Sequence, residues 1–332
     1  MASTIISVTT NGKLYVIGEY NVLRPKGIAI IYGLDIGIKF EIIPSKDFIY
    51  NTREVTQYFE YENKKFTFES NNNDELIKKA IEITFKYLKY KGIEPERFNL
   101  NIVSDLETEE GKKFGFGSSS ALITGVIKSI LKFHELKVDK KVIFKLAVLT
   151  QIALNDLSSG GDLASALYGG VIYYRRYNIK WLLKKYKDIS IVEKKWPHLK
   201  VVEIKTNMKF SSVWTKTSYK TKKLTYKISK KEYKLAQKLV KNAYHNLLSN
   251  NYAELKKTLN KYQLWLEQIL KQDDLYTKEL KEAIRIVKKY SLSGKISGAG
   301  GGDSIIFMYP IGFNFNNLVE DLKESNLVLF KN

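Results

Sequence analysis

The segment Lys113-Phe114-Gly115-Phe116-Gly117-Ser118-Ser119-Ser120-Ala121 has the residue types of an anion site. Its glycines let the backbone approach a ligand closely. Its serines fall where apolar residues begin to repeat at helical spacing, at Leu122, Val126, Ile130 and Phe133. The first turn of a helix offers free N–H groups and the positive end of the dipole, both suited to phosphate. A serine hydroxyl there can add a phosphate contact or a Mg2+ ligand. The same letters also suit a plain helix start with Ser118 as N-cap. Three further places carry a double reading. Lys13 is an anion-binding cation or a lysine with a buried stem, and Asp162 is a catalytic carboxylate or a helix cap. The run Ser297-Gly298-Ala299-Gly300-Gly301-Gly302 is a ligand loop or a hairpin turn.

The common nucleotide signatures are missing. The Gly-Lys pairs at 12–13, 111–112 and 294–295 complete no Walker A loop, and no His-Arg-Asp triplet exists. Asp303 stands where a dinucleotide fingerprint needs glycine. The chain has no cysteine, which excludes disulfides, thiolate nucleophiles, Cys-ligated zinc and iron–sulfur clusters. Its three histidines, His134, His198 and His245, are far apart in sequence and argue against a His-rich metal site or a Ser-His-Asp hydrolase.

Among 332 residues, 55 Lys+Arg face 35 Asp+Glu, a formal charge of +20. Such an excess suits polyanions: nucleic acid, an acidic membrane surface or phosphorylated small molecules. It is densest from Lys216 to Lys241, where Tyr219, Tyr226 and Tyr233 are interleaved. That stretch reads as a nucleic-acid surface or as a solvated helix face. No apolar run approaches the ~20 residues of a membrane span. Residues 1–11 lack the order of a secretory signal, so the cytoplasm is the expected place.

The elements that must position these residues follow from periodicity. The length suits two domains. Strand spacing marks Ser3–Val8, Leu14–Ile17, Gly27–Tyr32 and Ile36–Ile43, with a hairpin across Glu62-Asn63-Lys64. Helices are expected over Asp74–Lys91, from the serine-rich segment to about His134, over about Lys140–Leu157, and after Asp162. The second half shows a strand at Val201–Lys205, helices near Lys230–Ser249, Tyr252–Gln272 and Leu275–Tyr290, and a strand at Ser304–Tyr309. Strands and helices in runs, without strict alternation, give an α+β class with domains 1–195 and 196–332.

In this order the segments resemble the three motifs of the GHMP kinase superfamily. The first motif is similar to Asn11-Gly12-Lys13-Leu14-Tyr15-Val16-Ile17-Gly18-Glu19-Tyr20, the second to Gly115–Ala121, and the third to Ser297–Asp303. Within the superfamily, the details look most like the phosphomevalonate kinase family: Gly12–Tyr20, Gly161-Asp162-Leu163-Ala164-Ser165, Tyr168-Gly169-Gly170 and Val213-Trp214-Thr215-Lys216. Two departures stand out. Phe116 and Ser120 replace a leucine and a smaller residue, and Gln151 stands where some relatives carry a Mg2+-binding glutamate.

The resemblance implies a two-domain fold, with a mixed-sheet ATP-binding domain followed by a helix-rich α+β domain. It also implies ATP-dependent phosphorylation of 5-phosphomevalonate. ATP would be cradled by Lys113, Gly115, Phe116, Gly117, Ser118, Ser119, Ser120 and Ala121, with Ser119 reaching Mg2+. Lys13 would bridge the two anions and Asp162 would orient it or accept a residual proton. Glu19, Tyr20, Ser159, Lys216, Ser297 and Gly298 would line the acceptor side, with Arg175 or Arg176 as helpers. No nucleic-acid or membrane partner is implied. Two other readings stay open: a GHMP kinase acting on an alcohol such as mevalonate, and a basic nucleic-acid-binding protein.

Overall fold

The computed structural model describes residues 5–69, 74–217, 227–271 and 274–331; Ser3, Tyr219, Tyr226 and Gln272 lie outside them. Two sheets organise the chain. The first contains β1 (Ile6–Ile17), β2 (Ile28–Pro44), β3 (Phe48–Asn51), β4 (Thr56–Glu62), β5 (Lys65–Phe68), β6 (Phe98–Ser104), β7 (Gly170–Arg175) and β8 (Lys200–Glu203). Its order is β5-β4-β3-β6-β2-β7-β8, with β1 paired to β2. β3 and β6 run parallel and the other neighbours antiparallel. The second sheet holds β9 (Lys209–Trp214), β10 (Lys295–Ser297), β11 (Ser304–Tyr309) and β12 (Val328–Phe330) in the antiparallel order β10-β11-β9-β12.

The first sheet is covered by α1 (Glu75–Tyr90), α2 (Ser118–Phe133), α3 (Lys140–Ala153) and α4 (Gly161–Tyr168), with the short α5 (Ile179–Leu183) beyond β7. Helix α2 lies on β1 and β2 and touches α1, α3 and α4. The second sheet carries α7 (Tyr252–Leu270), α8 (Lys278–Lys289) and α9 (Asn316–Glu324), while α6 (Lys230–Leu248) packs on α7 and against β2 of the first sheet. This is the expected α+β class. No helix among the described residues is long and apolar enough to cross a membrane.

Several elements differ from the sequence expectation for identifiable reasons. The segments on either side of Asn11-Gly12 are one strand, because bulges at Asn11/Lys13 and Tyr15/Ile17 absorb the polar interruption without ending the pairing. β2 likewise runs unbroken through Gly33-Leu34-Asp35. The hairpin turn is as expected, with Asn63 and Lys64 at φ 50° and 64°, the conformation of a two-residue type I′ turn. β8 pairs with β7, so the chain passes from the first sheet to the second in residues 204–208. β9, central in the second sheet, is concealed in the sequence by the fully buried Ser211 and Ser212.

The two halves are joined along β1. The Tyr15 N–H donates to Ser297 Oγ at 2.8 Å and the Tyr262 hydroxyl to the Glu19 carbonyl at 2.7 Å. The Glu19 carboxylate pairs with the Lys295 ammonium, both almost wholly buried. Burial pushes the Glu19 carboxyl up and the Lys295 amine down, and each charge opposes the other's shift. A pair like this adds little by itself, but removing one partner strands a buried charge.

Lys295→Met is expected to cost about 3–5 kcal/mol in denaturant unfolding at pH 8. Burial raises the Glu19 pKa in the folded state, so the folded form holds the proton more tightly than the unfolded form does. The loss should therefore shrink as pH falls from 8 to 5. A loss independent of pH would show that Glu19 is not the stranded group.

Candidate active site

Lys13 is placed by β1 and held in three ways. Its N–H donates to the Phe116 carbonyl at 2.8 Å. Its stem crosses Gly117, where a Cβ would lie 2.8 Å from Lys13 Cγ; Gly117 is also left-handed at φ +79°, so a side chain there would clash and be strained. Its ammonium is 3.6 Å from Asp162 Oδ2, with the side chain 11% exposed. Asp162 sits in the first turn of α4, and its other oxygen accepts from the Tyr15 hydroxyl at 2.9 Å. Burial, reinforced by the Asp162 charge, holds the Tyr15 phenol well above its ordinary pKa, so it remains a neutral donor. Ser159 is buried beside them, its Oγ accepting from the Gly161 N–H and lying 3.4 Å from the Tyr15 hydroxyl.

Gly117, and not Ser118, is the N-cap of α2, because the left-handed turn places the serines inside the helix. The N–H groups of Ser120 and Ala121 return to the Gly117 carbonyl. Those of Ser118 and Ser119 precede the helix ladder and are free for an anion. Ser119 is exposed, Ser118 half-buried, and Ser120 and Ala121 buried; Lys113 is exposed at the edge of the loop. The Phe116 side chain is buried against Phe114 and Phe330, at ring centroid distances of 5.9 and 5.1 Å, and Phe114 packs in turn on Trp214 at 4.8 Å. Phe116 can therefore offer a ligand only its backbone.

Other expected site residues are committed elsewhere. Glu19 is buried against Lys295 and is no acceptor ligand in this arrangement. The Tyr20 hydroxyl donates to the Ala299 carbonyl and so braces the third glycine turn. Ser297 Oγ is taken by the Tyr15 N–H. The Lys216 ammonium reaches Asn326 Oδ1 at 2.6 Å. Arg175 donates to the His198 carbonyl, and Arg176, buried, donates to the carbonyls of Leu23, Leu157 and Ser158. Gly298 does face Lys13: a Cβ there would be 3.8 Å from the ammonium.

Gln151 is also occupied, its amide oxygen accepting from Ser158 Oγ at 3.1 Å. No cluster of three acidic or histidine side chains able to hold a metal exists among the described residues. The exposed Ser119 hydroxyl at the loop fits Mg2+ that arrives with nucleotide phosphates and keeps much of its water.

Three residues given no task by sequence reasoning belong to this site or its frame. Tyr15 shares a strand face with Lys13 two residues away, a period-2 signal that was available. Asp303 ends the third glycine run and lies against Gly115 of the phosphate loop. Lys295 gave no local signal, because its partner is distant in sequence.

Comparison with known proteins identifies the family. Residues 75–170 match the family described as GHMP kinases N terminal domain, and residues 243–325 the one described as GHMP kinases C terminal. A phosphomevalonate kinase of Saccharolobus solfataricus is 23% identical over 95% of this chain and 93% of its own length. One from Streptomyces sp. is 25% identical, over 56% of this chain and 54% of its own length. The crystal structure of Streptococcus pneumoniae phosphomevalonate kinase in complex with phosphomevalonate and AMPPNP superimposes with a TM-score of 0.86 at 24% identity, covering 98% of each chain. Both family segments occur in order on a shared fold, and the chain belongs to the GHMP kinases, similar to the phosphomevalonate kinases among them.

Proposed function

We propose that this chain transfers the γ-phosphoryl group of ATP to 5-phosphomevalonate, giving ADP and 5-diphosphomevalonate. The observation that carries the reading is Lys13, a nearly buried cation lying between the phosphate loop, Asp162 and Gly298. The relatives named above support this acceptor.

A phosphate monoester has a second pKa of about 6 and is mostly dianionic at neutral pH. One of its oxygens attacks the γ-phosphorus while the bond to the β,γ-bridging oxygen breaks and ADP leaves. The attacking oxygen carries no proton, so no strong base is needed, and catalysis rests on positioning and charge neutralisation. Lys13 neutralises charge on both anions. Asp162, with one oxygen fixed by Tyr15, directs the ammonium with the other and can take a residual proton. The N–H groups of Ser118 and Ser119 hold the nucleotide's phosphates at the start of α2. Mg2+, when bound with ATP, neutralises the β- and γ-phosphates, and Ser119 would hold it. The lysines of α6, Lys230, Lys231, Lys234, Lys238 and Lys241, are exposed and attract anionic substrates from solution.

Ser119→Ala is expected to lower kcat about tenfold or more with an unchanged unfolding midpoint. Lys13→Met should lose activity at every pH, whereas Asp162→Asn should recover part of its loss at high pH. An Asp162→Asn variant dead from pH 6 to 9 beside an active Lys13→Met would reverse the two roles.

ADP release with 5-phosphomevalonate, mevalonate, galactose and homoserine side by side tests the acceptor. The first should be preferred over mevalonate by about 10²-fold in kcat/KM, about 2.7 kcal/mol, and the margin should narrow as salt rises from 50 to 500 mM. Equal use of mevalonate would move the chain to an alcohol-phosphorylating branch of the family.

A further inference from the structure

The mechanism above leaves one carboxylate at the phosphate loop without a task. Asp303 closes the third glycine turn in the left-handed conformation, φ 58°. Its backbone is clamped on both sides. The Thr215 N–H and Oγ1 donate to its carbonyl at 2.8 and 3.0 Å, and its own N–H donates to the Thr217 carbonyl at 2.8 Å. The clamp aims the side chain at the loop: a Cβ on Gly115 would lie 2.5 Å from Asp303 Cγ and 2.8 Å from Oδ2. The residue is half-buried. Burial pushes its pKa up and Lys13 pulls it down, and no hydrogen-bond donor among the described residues takes part.

A carboxylate that takes no hydrogen bond and faces a loop that must receive a triphosphate opposes binding by repulsion. The same charge becomes favourable once a divalent cation lies between the two. Gln151 cannot supply that charge, being neutral and already bonded to Ser158. We propose that Asp303 holds the divalent cation that accompanies the nucleotide, directly or through its water shell. This rests on the nucleotide reading of the loop.

The test is Asp303→Asn in the full chain, since asparagine tolerates the left-handed conformation and keeps the side chain's size. AMPPNP binding is measured by calorimetry without metal. Mn2+ affinity of the AMPPNP-loaded protein is measured by electron paramagnetic resonance. The expected result has opposite signs: metal-free AMPPNP binds as tightly as before or more tightly, while Mn2+ affinity falls about tenfold or more. Unchanged Mn2+ affinity overturns the proposal. So does a parallel loss of metal-free AMPPNP binding, which would show that Asp303 only shapes the loop. Failure of the unaltered chain to bind AMPPNP at all would overturn the nucleotide reading itself, and this inference with it.

Discussion

A lysine that is nine-tenths buried must have its charge met, and the arrangement around Lys13 meets it from several elements at once. β1 supplies the residue and α4 the carboxylate, while the loop before α2 supplies a carbonyl for its N–H and a glycine for its stem. Each contact alone is worth little in water. With Lys13 so little exposed, the Lys13–Asp162 interaction is less screened than a surface pair, and losing Asp162 would leave the nearly buried ammonium without its partner. The site is thereby tied to the register of β1 against β2, since a slip of one residue would turn Lys13 and Tyr15 to the opposite face together.

The same strand sets the relation of the two halves. Tyr15 faces Asp162 through its hydroxyl and Ser297 through its N–H, so one residue contacts both the site and the second sheet. Four residues further on, Glu19 meets Lys295, just before the third glycine turn. The turn is thus positioned by a buried ion pair as well as by its own backbone, which explains how a glycine-rich segment can hold one geometry beside Lys13.

Much of this was legible in the residues. The class and the order of most elements could be read from periodicity, because those signals are local, whereas Lys13, Gly115–Ala121 and Asp162 kept a double reading in spacing alone and were singled out by the resemblance to the GHMP motifs. Direction was not legible. Arg175 and Arg176 are cationic in the sequence, yet their guanidinium groups satisfy carbonyls, since a buried backbone acceptor needs a donor as much as a ligand does. Glu19 sits inside a motif and still turns toward Lys295. Ser118 looked like a cap until the left-handed Gly117 took that position. β9 was missed because alternation fails when both faces of a strand are buried and serines lie among the apolar residues.

The ring stack behind the phosphate loop bears on cooperativity. Phe114 and Phe116 belong to the first half of the chain, while Trp214 and Phe330 come from the second sheet. Their packing makes the loop's shape a shared property, so a molecule that binds only the assembled loop draws its stabilisation from both units. Occupancy should then raise the melting of the two halves in concert, as one transition. A chain cut between the sheets would keep the start of α2 and lose the backing that fixes its approach.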